Sequence, residues 1–320
     1  SERAQTYRKL QNLEHLRGTA VTVQTMVFGN GGLTSGAGVA FSRDPSTGAR
    51  QPMIDLVLDA QGEDVVSGRR MPDSEDAITR ALPALKDELG AVLRQLEQAF
   101  GDVQDVEFTV EDGHLWILQT RAAKRTPRAA LRFAVNFVRE RVITPHEALE
   151  RLADIDLEQL VETSLVAAGA PVATGIGASG GIATGRAAFD ADSAKRLAAS
   201  GEPVVLMRPD TSTADVAGFA VASGILTSVG ARTAHAALVA RQLGRPCIVG
   251  CRALEVSVEA GCATLAGTPV GSGDWVTIDG DRGRIYLGRL EIVTSRPDAE
   301  LAEVAAWRSS ATQPGKRLSA

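Results

Sequence analysis

His235 stands in the stretch VGARTAHAALVARQLG, residues 229–244, after a glycine-containing turn and before a run of small, helix-forming residues. The pattern delivers an imidazole to the first turn of a helix. Unpaired backbone N–H groups and the positive end of the helix dipole stabilise an anion there. Neutral imidazole is a competent nucleophile near neutral pH, and a phosphorylated imidazole is an anion of the kind such a terminus favours. Alanines at 234, 236, 237 and 240 let another surface approach closely. The plainer reading makes His235 a packed or capping histidine. His15, His114 and His146 have no comparable setting and are read as structural.

A second constellation lies in DVEFTVEDGHLWILQTR, residues 105–121, which reads as a β-hairpin. A three-residue loop, with Gly113 left-handed, sets Val110 opposite His114. Parity then puts Val106, Phe108 and Val110 with Trp116 and Leu118 on a buried face. The other face gathers Asp105, Glu107 and Thr109 with Leu115, Ile117, Gln119 and Arg121. Glu107 and Gln119 offer the hard oxygens Mg²⁺ prefers, and Arg121 offers a forked donor to phosphate. A two-residue loop would put Glu107 and Gln119 on opposite faces, and an ordinary solvated face with a cross-strand ion pair is the plain alternative. The glycine-rich GNGGLTSGAG, residues 29–38, lacks the spacing of a P-loop and of a dinucleotide fingerprint. We expect it to cradle phosphate through Gly36 and Gly38, against the commoner fate of such loops, a connection without ligand.

The elements that must hold these residues follow from periodicity. Strands are expected at 20–28, 39–43 and 53–59, with a turn at DPSTG between the last two. Helical periodicity runs from Asp76 to Phe100, capped by Ser74 and interrupted at Pro83. From Pro127 to about Ala168 the pattern turns helical, the second helix opening with Thr144 as cap and Pro145 at its first position. From about 169 to 290, strands at ATGRAAF, PVVLM, GILTS, CIVG, WVTID and RIYLG alternate with helices, an α/β pattern. A last helix is expected at DAELAEVAAWRSS.

With 320 residues, 44% of them hydrophobic, the chain can bury more than one core. A formal charge of −5 and the lack of any basic block speak against nucleic acid. No apolar run approaches a membrane span and no signal peptide opens the chain. The expectation is a soluble, cytoplasmic protein. Cys247, Cys251 and Cys262, an odd and closely spaced trio, read as reduced, buried, structural thiols rather than a zinc site.

The runs TAVTVQTMVFGNGGLTSGAGVAFSRDPSTG, DAQGEDVVSGRR, QDVEFTVEDGHLWILQTRAAKRT, ASGGIATGRAAF, GILTSVGARTAHAALVARQLG and GDWVTIDGDRGRIYLG together resemble the pyruvate, phosphate dikinase family of phosphohistidine enzymes. The resemblance covers most of residues 3–288. It implies an α/β, multidomain (α+β) chain: the C-terminal part of an ATP-grasp domain at 1–126, a helical linker at 127–168, a swivelling phosphohistidine domain at 169–290, and a second linker at 291–320. By it His235 is the phosphoryl carrier, Glu107 and Gln119 the Mg²⁺ pair, Arg121 a phosphate contact, and Thr233 a regulatory phosphorylation site in some members. It further implies ATP, phosphate and pyruvate or phosphoenolpyruvate as substrates, a homodimeric parent enzyme, and hinges in the connectors at 127–168 and 289–320. The chain opens at Ser1 within the ATP-grasp domain and stops where the pyruvate-binding barrel would begin, so a fragment is expected. Departures are Ala231 for a glycine, Ala234 for a serine or cysteine, Asp55 for a glutamate and Ile54 for a glycine. The rival readings are a barrel-less relay to another acceptor and a non-catalytic remnant.

Overall fold

The computed structural model describes residues 15, 21, 23, 25–66, 70–167, 169–211 and 215–311. The first unit is built on a four-stranded antiparallel sheet of β1 (Gly36–Phe41), β2 (Met53–Leu58), β3 (Gln104–Glu111) and β4 (His114–Ala122), in the order β2-β1-β3-β4. Alternation along these strands divides their side chains between two faces. Ala40, Leu56, Val106, Phe108 and Val110 face Leu82, Leu85, Leu89 and Leu93 from α2 (Glu75–Ala81), α3 (Leu85–Phe100) and the connection between them. α1 (Gly62–Val66) follows β2. Ser74 caps α2 by accepting the Ala77 N–H at 3.2 Å, as its position in the sequence predicts.

The opposite face carries Ala37, Val39, Phe41 and Val57, which join a cluster with α4 (Pro127–Arg139) and α5 (Pro145–Arg151). Thr126 and Thr144 cap these helices, each followed by proline at the start, and Glu147 completes a capping box on α5.

The helical reading does not extend to 168. Residues Glu162–Leu165 form β5, which pairs antiparallel with β17 (Ile292–Ser295). No helix-period stripe covers this piece; its backbone groups are instead satisfied by a strand more than a hundred residues away, which local pattern does not reveal. The strand expected at 20–28 is likewise corrected: residues 25–28 are irregular, as are 21 and 23, and the rest lie outside the described residues. The following strand starts at Gly36, three residues before the point expected.

The second unit is an eight-stranded mixed sheet. Its strands are β6 (Ala173–Thr174), β7 (Ile176–Ser179), β8 (Ile182–Ala188), β9 (Val204–Arg208), β10 (Gly224–Thr227), β11 (Cys247–Val249), β15 (Trp275–Asp279) and β16 (Arg284–Leu287). They run in the order β6-β16-β15-β8-β9-β10-β11-β7, with β8 to β11 parallel. α6 (Ala191–Ala199), α7 (Val216–Val221) and α8 (His235–Leu243) are the crossovers between those parallel strands, as parallel pairing requires. A small sheet of β12 (Leu254–Ser257), β13 (Cys262–Leu265) and β14 (Thr268–Gly271), not anticipated from periodicity, packs Leu254, Leu265 and Val270 beneath one face. The predicted terminal helix is α9 (Asp298–Ala311), and its Val304 returns to the cluster of α4 and α5.

The cysteines divide. Cys247 and Cys251 are buried, but Cys262 is exposed, which corrects the reading of three buried thiols. Burial pushes the Cys247 thiol up to about 12 and raises that of Cys251. At pH 8 both stay protonated and shielded, so an aromatic disulfide reagent should titrate one thiol quickly and two more only after unfolding; three fast thiols would contradict this burial.

Candidate functional site

The hairpin turns through two residues, not three. Asp112 and Gly113 both have positive φ, 49° and 79°, and Glu111 lies opposite His114, the geometry of a type I′ turn. Carried along unbroken strands, that register would separate Glu107 from Gln119. It does not persist: the pairing shifts between Glu107 and Phe108, where β4 holds one extra residue, Leu118. The bulge restores the parity beyond it, so Glu107 faces Gln119 and Asp105 faces Arg121. Near the turn the expected faces are exchanged. Leu115 joins the core beside Val110, while Trp116 pairs with Thr109 and is 49% exposed; Leu118 is 46% exposed.

Cross-strand pairing extends this order over the sheet. Asp55, Val39, Glu107 and Gln119 form one row from β2 to β4, and Phe41, Asp105 and Arg121 stand in the next. Asp55 and Glu107 are thus about 10 Å apart along the row. Asp105, placed on this face by sequence parity without a role, is the residue the structure adds to the candidates. It is 1% exposed; one carboxylate oxygen accepts the Arg121 Nε–H at 2.9 Å, and the other is buried without a partner. A spare carboxylate oxygen beside Glu107 and Gln119 suits a hard cation. Among the described residues no group of three or more His, Cys, Asp or Glu side chains is placed to hold a metal ion. Mg²⁺ does not need one, since it keeps waters and phosphate oxygens in its shell. Arg121 also lies 3.7 Å from Glu107 and remains 44% exposed on its side chain, free to meet an anion.

Gly36 and Gly38 are in the strand rather than in a loop. A Cβ on Gly38 would lie 2.5 Å from the Phe108 ring, and one on Gly36 would lie 2.8 Å from the Val57 carbonyl oxygen. Their size serves close packing within the sheet.

His235 opens α8, in the crossover from β10 to β11, at the C-terminal ends of the parallel strands. That is where open α/β sheets present ligands. Ala234 supplies no side-chain cap to the first-turn amides. The His235 side chain is exposed, its ring 6.3 Å from that of Phe219. Gly230, with φ of 119°, makes the turn before it, and the Thr227 hydroxyl donates to the Val229 carbonyl at 2.6 Å. Thr233 is 5% exposed, and its hydroxyl is buried without a partner.

The structure brings the two constellations together. Arg232, three residues before His235, forms an ion pair with Asp55 at the end of the Glu107 row. The Ser46 hydroxyl donates to the Ala178 carbonyl at 3.0 Å, and Arg128 pairs with Asp281. Arg241 of α8 lies over the Phe41 ring at 5.3 Å. The loop of His235 therefore meets the face that holds Glu107, Gln119 and Arg121 at its Asp55 end, and leaves Gln119 and Arg121 exposed.

Residues 1–91 and 84–141 match the model of the pyruvate phosphate dikinase AMP/ATP-binding domain, and residues 200–283 match that of the mobile domain of PEP-utilising enzymes. Pyruvate, phosphate dikinase 1, chloroplastic, of Zea mays is 38% identical over 311 residues, 96% of this chain and 33% of its own length. The pyruvate, phosphate dikinase of Rickettsia felis is 39% identical over 314 residues, covering 96% and 36%. That of Clostridium symbiosum is 39% identical over 309 residues, covering 95% and 35%. The chain thus spans about a third of the length of these relatives.

The bulge makes a contrast testable. Deleting Leu118 removes the extra residue yet leaves Gln119 opposite Glu107, and should cost no more than about 1 kcal/mol. Deleting Thr120 sets Arg121 opposite Val106 and strands buried Asp105, at about 3 kcal/mol or more. Equal losses of stability in urea would contradict this register.

Proposed function

This chain belongs to the pyruvate, phosphate dikinase family of PEP-utilising phosphotransferases, and we propose that it carries the nucleotide-side and phosphohistidine parts of such an enzyme. Residues 1–126 are the C-terminal part of an ATP-grasp domain, 127–168 a linker of two helices and the strand Glu162–Leu165, 169–290 the swivelling phosphohistidine domain and 291–320 a second linker. One observation supports the reading above others: the loop of His235 is ion-paired through Arg232 to Asp55, on the sheet face that also carries Glu107, Gln119 and Arg121.

In the proposed reaction an imidazole nitrogen of His235 attacks the β-phosphorus of ATP. The bond from that phosphorus to the oxygen it shares with the α-phosphate breaks, and AMP leaves with the electron pair. Inorganic phosphate then takes the terminal phosphoryl group as pyrophosphate. The phosphoryl group left on His235 passes to the enolate oxygen of pyruvate, which gives phosphoenolpyruvate and free imidazole.

The chain's own groups have distinct tasks. The exposed imidazole of His235 is open to in-line approach. The first-turn amides of α8 favour the anion formed on it. Arg121, held by Asp105, presents its remaining N–H groups to phosphate oxygens. Glu107 and Gln119 would hold Mg²⁺, which when bound neutralises charge on the transferring phosphates. No helix among the described residues is long and apolar enough to cross a membrane.

The test is phosphoenzyme formation in the full-length protein from [β-³²P]ATP and, separately, from labelled phosphoenolpyruvate. Acid-labile, base-stable label is expected at His235 from both donors. His235→Ala should abolish it, and Arg121→Ala should slow labelling from ATP by about 100-fold. Label that survives the histidine substitution, or no label from either donor, would overturn the assignment.

A further inference from the structure

We propose that Arg241 is a positioning residue that couples the loop of His235 to the nucleotide face, by holding the loop from within α8 and by placing its cation beside Asp105 across the junction of the two units. The inference rests on the function proposed above and deepens it.

Arg241 is 0% exposed and ranks first by volume among the fully buried side chains. Filling space in a helix does not require a guanidinium, and burying one is costly unless carboxylates lie close. Its Nη2–H donates to the Arg232 carbonyl at 2.5 Å and its Nη1–H to the Ala178 carbonyl at 3.3 Å. The first of these bonds ties the loop three residues before His235 back onto the helix that His235 begins.

The remainder of the side chain faces the other unit. The guanidinium lies over Phe41, 5.3 Å from the ring centroid. Phe41 is the cross-strand partner of Asp105, so their side chains stand on one face with Cβ atoms about 5 Å apart. The Arg241 Nε and one Asp105 carboxylate oxygen are both buried without hydrogen-bond partners. Burial pulls the guanidinium down to about 10, and the carboxylates that oppose this are Asp105 first and then Asp44. Both belong to the opposite unit, so separation of the units removes its counter-charges. Asp105 in turn holds Arg121. The carboxylate that orients the phosphate-facing arginine is thereby also the one the histidine helix meets, and His235 is presented when that carboxylate is in place.

The experiment uses the full-length protein and compares the two donors. Arg241→Met should slow labelling of His235 from [β-³²P]ATP by about tenfold or more, because it removes the buried cation that opposes the Asp105 charge across the junction. Labelling from phosphoenolpyruvate, for which the variant loses the bond to the Arg232 carbonyl but no contact with the nucleotide face, should fall clearly less than labelling from ATP. Arg241→Lys keeps the charge but loses the planar stack and fork; it covers the case in which the methionine variant does not fold, and should show a smaller defect confined to ATP. Equal losses with both donors would make Arg241 merely structural, and no loss with either would remove its role; each overturns the proposal. Absence of label in the unsubstituted protein would instead overturn the functional reading on which it rests.

Discussion

Asp105 is a carboxylate taken almost wholly out of water, and a protein interior accepts such a charge only where cations and donors surround it. Arg121 supplies one partner from the neighbouring strand. The rest of the compensation comes from beyond the sheet, where Arg241 lies over the adjacent Phe41. The first sheet therefore has one face completed by α2 and α3 with hydrophobic side chains, and another that shares a hydrophobic cluster with α4 and α5 and whose charges, Asp55 and Asp105, also meet arginines of the second unit. Apolar packing alone completes the first face; the second combines apolar packing with ion pairs and hydrogen bonds to the second unit.

Much of this was legible in the sequence. The caps at Ser74 and Thr144 followed the helix-start chemistry of serine, threonine and proline, and the strands of the parallel core stood out as short apolar runs between helical patterns. Placing Glu107 beside Gln119 was correct although the loop length that supported it was not. Two local departures, a shorter turn and an extra residue at Leu118, cancel beyond the bulge and leave their trace at Leu115, Trp116, Ile117 and Leu118. Parity arguments are blind to pairs of compensating shifts.

Non-local relations were not legible. The pairing of Glu162–Leu165 with Ile292–Ser295 joins segments with no shared local signal. Gly36 and Gly38 looked like loop glycines because composition does not distinguish freedom of backbone from lack of room; the nearness of Phe108 and of the β2 backbone decides for the latter. Asp105 read as one acidic residue among several. Only burial, and a carboxylate oxygen left without a partner, set it apart.

The pairing of β5 with β17 has a consequence for how the molecule can be taken apart. Leu165 and Ile292 are direct partners, so the chain enters and leaves the second unit at neighbouring points about 5 Å apart. Everything from 166 to 291 hangs from one two-stranded stem, as a cassette inserted into a host. A short turn across the stem would rejoin the host without spanning any gap, and the excised cassette would have ends close enough to be linked into a circle. The architecture is thus open to exchange of one module for another with no change in the path of the chain around it.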